Sequence, residues 1–164
     1  MDKKIIVVVL VLGVLCGLMP GQAGATSWQS YHPEDFAYSH ASSDFDGMYY
    51  DADSVAACDP QDGTAACAYV LGKEVEPDYE RIYIMRMGMT GCYAATLCYK
   101  QGGEWHFPRR QWQYVGMSTQ FPMLEVMERR VLCVMEEQRT NNKLRLLSHP
   151  LTPDDITLPA NVLD

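Results

Sequence analysis

Cysteines carry most of the chemistry this chain could do. Cys58, Cys67, Cys92, Cys98 and Cys133 lie beyond an apolar start, and a sixth, Cys16, lies within it. No pair has the two-residue spacing of a dithiol oxidoreductase or a zinc ribbon. Cys58 and Cys67 bracket a loop with Pro60, which favours turning, and Gly63, which permits a positive φ. They can meet as a disulfide if that loop closes a hairpin. An odd number of cysteines leaves one thiol free, buried, or paired between chains.

Other reactive types are poorly arranged. Gly116-Met117-Ser118-Thr119-Gln120 nearly spells a nucleophile elbow, but Gln120 replaces its second glycine and the surroundings suggest an antiparallel sheet. Ser118 or Thr119 reads better as a helix cap. His32, His40, His106 and His149 are scattered, and no metal-ligand spacing is seen. Asp44-Phe45-Asp46-Gly47 and Asp51-Ala52-Asp53 lack the spaced ligands of a calcium loop. No phosphate-cradling glycine motif occurs, so no metal or cofactor is expected. The basic doublets Arg109-Arg110 and Arg129-Arg130 could form a cationic spot for an acidic partner if strand and helix bring them together. Otherwise they pair with Glu104, Glu125, Glu128 or Glu136.

Lys3 and Lys4 precede an apolar run from Ile5 to Leu18, and Ala23-Gly24-Ala25 supplies a small-x-small cleavage pattern. Residues 1–25 therefore read as a cleavable signal, too short for a stable membrane span. Gly13 and Leu15 sit the wrong way round before Cys16 for lipidation. The working chain is expected to begin at Thr26, outside the cytoplasm, where thiols oxidise. Its location would be the periplasm, the cell surface or the medium. The formal net charge of −8 argues against nucleic acid and anionic lipid as partners.

Strand-like runs separated by Gly and Pro turns recur at Met48–Tyr50, Ala65–Val75, Arg81–Met89, Cys92–Lys100 and Glu104–Val115. This spacing predicts an antiparallel meander of about five or six strands, with Pro108 at an edge or bulge. Asp51 to Ser54 reads as a turn or cap. From Ser118 or Thr119 to about Gln138, helical spacing places Met123, Leu124, Met127, Val131, Val134 and Met135 on one face. The fold class is thus α+β, with one C-terminal amphipathic helix packed on the sheet. Pro150, Pro153 and Pro159 forbid long elements in the tail, 140–164, yet its leucines are too apolar for a free end.

Tyr49-Tyr50-Asp51-Ala52-Asp53-Ser54-Val55, Trp28 before it, Cys92 in mid-sheet, and Trp112 to Ser118 followed by Glu125 and Cys133 resemble small exported bacterial proteins related to surface-adhesin protein E. The resemblance covers Trp28 to Cys133, within a domain placed at 26–139. It implies an antiparallel sheet with a packed helix, and a disulfide joining Cys92 to Cys133. Helical geometry objects, since Cys133 would point about half a turn away from Leu124. With those two bridges, Cys98 is the leftover thiol, read as a buried apolar residue. The family's namesake is an adhesin for host matrix and serum proteins.

The expectation is a non-enzymatic, adhesin-like binding module of the bacterial envelope, taking a protein or cell-surface component. An exposed sheet edge could also pair two copies into a homodimer. A hydrolase and a thiol oxidoreductase are the enzymatic alternatives.

Overall fold

The structure is a computed structural model and describes residues 26–31, 45–59, 66–158 and 162–163. The expected signal, Cys16, His32, His40 and Asp44 lie outside the described residues.

Eight strands form one sheet: β1 (Trp28–Ser30), β2 (Met48–Cys58), β3 (Cys67–Glu76), β4 (Tyr79–Gly88), β5 (Gly91–Gln101), β6 (Glu104–His106), β7 (Gln113–Gly116) and β8 (Arg145–Leu147). The first six neighbour one another in chain order. β7 pairs antiparallel with β5, and β8 alone runs parallel, beside β2. One α-helix, α1 (Pro122–Thr140), follows β7 among the described residues. The class is α+β with an antiparallel sheet, as the turn spacing predicts.

β2 is the main departure from the sequence reading. Asp51 to Ser54 is neither a turn nor a cap but the middle of an eleven-residue strand. The polar residues build a bulge in the β2–β3 register between Asp51 and Ala56. The Ser54 hydroxyl donates to the Asp51 carbonyl at 2.6 Å and accepts the Leu71 N–H at 2.8 Å. It thereby occupies backbone groups that the bulge removes from the ladder. Glu104–Val115 also divides, into β6 and β7, because Pro108 has no N–H to give a ladder.

Alternation along the strands creates two cores. On one face Val70, Tyr83, Met85 and Met87 meet Leu124, Met127, Val131 and Val134 of α1. Val126 is buried too, while Met123 is exposed and Met135 only partly covered. The helix is entered without a side-chain cap: Phe121 is the N-cap, and Pro122 starts the first turn. Ser118 and Thr119 therefore do not cap it.

On the opposite face Leu71, Ile82, Ile84, Leu97 and Cys98 are covered by the tail, through Leu147, Leu151, Ile156, Leu158 and Val162. Trp28, Trp105 and Trp112 pack at this cluster as well. Arg110 Nη1 donates to the carbonyls of Pro153 at 3.3 Å and Ile156 at 2.7 Å. Trp105 Nε1 donates to the Leu163 carbonyl at 3.2 Å. The order across the molecule is helix, sheet, tail.

Candidate functional site

A cleft of about 530 Å³ opens at one end of the sheet among the described residues. Three chain reversals set its walls. The end of β2 and the start of β3 contribute Ala57 and Ala68, the end of β4 and the turn after it contribute Met87 and Met89, and the connection into α1 contributes Met117 and Ser118. The fourth wall is α1 itself, with Val131, Leu132 and Met135. Its volume lies within the range of small-molecule sites, and its lining is mainly apolar, as such sites usually are. Cys58, Asp59, Cys67, Ser118, Glu128 and Arg139 add thiol, polar and charged groups to this lining.

The neighbourhood is held by close contacts that leave no room for larger side chains. Gly91 has φ +113°, and a Cβ there would stand 2.6 Å from the Tyr114 ring and 3.3 Å from Met117 Sδ. Glycine is required at this turn on both counts. Beneath the cleft, Cys92 is buried opposite Met87 on the β4–β5 ladder. Burial raises its thiol pKa, and the negative charge of Glu128 adds to the rise. A hydrogen bond from the Ser118 backbone N–H works in the other direction. The net effect keeps Cys92 protonated, the opposite of an activated nucleophile.

The two expected bridges fare differently. Cys67, Cys92, Cys98 and Cys133 are free thiols. Because α1 runs unbroken to Thr140, Cys133 sits on its exposed side while Cys92 is buried, so the Cys92–Cys133 bridge is not made. Cys58 and Cys67 are direct Cα partners at the ends of β2 and β3, the placement a hairpin requires. The bridge itself is absent: Cys67 Sγ donates instead to the Tyr69 hydroxyl at 3.4 Å. That hydroxyl also accepts the Leu151 N–H at 3.1 Å, tying this corner to the tail. Cys98 is buried in the tail-side core, and its pKa is pushed up by burial to about 11.

The arginine doublets do not form one cationic spot. Arg110 serves the tail on one face of the sheet, and Arg109 beside it is exposed. Arg129 and Arg130 belong to the helix on the other face. Arg129 pairs with Glu125 at 2.8 Å, and Arg130 Nε donates to the Tyr50 hydroxyl at 2.6 Å. His106 stacks on Tyr99 and His149 lies beside Ser148, far apart in the fold. Among the described residues, no three His, Cys, Asp or Glu side chains group so as to hold a metal ion.

Sequence reasoning missed the cleft. Its signal was available in four of the chain's ten methionines, Met87, Met89 and Met117 near turns and Met135 on the helix. Periodicity assigned Met135 to the core and gave the others no role. Against known proteins, the chain matches no family model, no curated protein and no solved structure.

Proposed function

We propose that this chain is a non-enzymatic binding module acting outside the cytoplasm, and that the cleft between α1 and the sheet end is its binding surface. The observation that carries this reading is the cleft's composition. Apolar and thioether side chains make up most of its exposed lining, and flexible methionines adapt to varied partners at little cost. Leu132, 53 % exposed on the cleft-side rim of α1, and Met89, 85 % exposed at the β4–β5 turn, leave apolar surface open to a protein or cell-surface component. The resemblance to exported adhesin-E-like proteins and the signal-like residues 1–25 support the location. A C-terminal amphipathic helix suits this role, since it can seal the sheet with one side and border the cleft with its flank.

Fractionation with surface protease accessibility tests the location, and processed chain in the periplasm, at the surface or in the medium is expected. Attachment to envelope fractions or host matrix tests the surface. Leu132→Asp should reduce it at least tenfold while the melting temperature holds. Unprocessed chain in the cytosol, or unchanged attachment of the variant, contradicts the reading.

A further inference from the structure

Acidic residues outnumber basic ones by 21 to 13 in this chain, so an arginine without a carboxylate is not short of partners. Among the described residues, the half-buried Arg81, Arg110, Arg129 and Arg130 each reach a side-chain or backbone oxygen. Arg86, half-buried on β4, has no such oxygen among the described residues; its contacts are aromatic. Its Cζ lies 4.3 Å from the Tyr93 ring centroid and 5.3 Å from that of Trp112.

Tyr69, Arg86 and Tyr93 are ladder partners on β3, β4 and β5, so their side chains share one face of the sheet. It is the tail-side face, where the Trp112 and Tyr69 ring centroids lie 6.2 Å apart. Ring contacts engage the flat face of a guanidinium and hold it in place. They leave its in-plane N–H groups, the fork that matches a carboxylate, without an acceptor. Arg86 also lines a pocket of about 130 Å³ with Ala66, Cys67, Gly88, Thr90, Gly91 and Pro150. No acidic side chain stands in that lining. At about 30 Å³ per water molecule, the space suits one carboxylate on a short stem.

We propose that this pocket is a recognition site for a single carboxylate, held by the in-plane N–H groups of Arg86. A bidentate pair of this kind is short, charge-assisted and directional. The lining holds one cation, so nothing in it balances the second charge of a phosphate on an acidic protein. The carboxylate belongs either to a free small acid or to an Asp, Glu or chain end of another protein. Ala66, Cys67 and Gly88 also line the cleft, so the two openings adjoin. The inference does not rest on the cleft binding anything.

The test is an NMR titration of the wild-type chain at fixed pH and ionic strength, with acetate replacing chloride. The Arg86 Nε–H and the amides of Thr90 and Gly91 are expected to shift and saturate, with a dissociation constant on the order of millimolar. The Nε–H of Arg109, which is exposed, should not saturate in that range. Arg86→Lys keeps the charge but loses the fork, and should weaken acetate binding at least about fivefold. The readout at Arg86 itself holds even where a variant fails to fold. Capped aspartate, with capped asparagine as its control, separates the two sources. Saturation by capped aspartate assigns protein-borne carboxylates, and saturation by acetate alone assigns free small acids. Saturation at Arg86 by neither probe overturns the proposal. So does acetate binding that survives Arg86→Gln, equal binding of capped asparagine, or phosphate binding more tightly than acetate.

Discussion

Asp51 shows how one residue can be structural where its type suggests chemistry. It is 4 % exposed, and burial raises its carboxyl pKa from 3.8 to about 6. The Asp53 charge adds to the rise, while N–H groups of Asp53 and Ser27 oppose it; the Asp53 N–H reaches Oδ1 at 3.1 Å. Between pH 4 and 6 the folded chain keeps a proton that the unfolded chain has lost. Stability from this group therefore falls as pH rises through that window and is level above it. Asp51→Asn should gain stability over the wild type progressively from pH 4 to 6, with a constant advantage beyond. Denaturant unfolding at several pH values checks this, and a pH-independent difference would contradict it. Arg110 is a second such residue. Its charged hydrogen bonds to the Pro153 and Ile156 carbonyls predict that Arg110→Ala costs about 1.5–3 kcal/mol and speeds amide exchange over 151–158. Arg109→Ala should stay within about 0.5 kcal/mol. Sequence could not separate these neighbours, because the carbonyls that distinguish them lie more than forty residues along the chain.

At the scale of elements, the strands were legible where turn residues and alternation agreed, as at Gly91 and in β3 to β5. β2 was not, because Asp51, Asp53 and Ser54 carry turn propensities that tertiary hydrogen bonds override. Ser54→Ala strips the bulge of a donor and an acceptor and should cost about 1–3 kcal/mol in thermal or chemical unfolding. A neutral result would mean that water replaces the hydroxyl there. The helix was legible from its period, but its start was not. Phe121 and Pro122 begin it without a side-chain cap, and the serine expected to cap turns its N–H toward Cys92. The helix's continuity past Cys133 also decides the fate of the resemblance-based bridge. An unbroken α1 cannot present both Val134 to the core and Cys133 to Cys92.

For the whole molecule, the sheet is sealed on both faces by parts of its own chain, the helix on one and the tail on the other. The tail's composition announced that its leucines needed cover but not which surface they would meet. With both faces occupied, Met89 and Leu132 leave exposed apolar surface at the sheet end beside α1. Met87, Met89, Met117 and Met135 line that end from β4, the turn after it, the connection into α1 and α1 itself, a juxtaposition set by topology. Carbene footprinting of the chain, free and attached to envelope fractions, tests this account most directly. Protection over Met89, Met117 and Leu132, with Phe107 just past β6 and Val75 at the opposite end of β3 unchanged, is the predicted result. Protection confined to those distant positions, with the cleft labelled equally in both states, would contradict it.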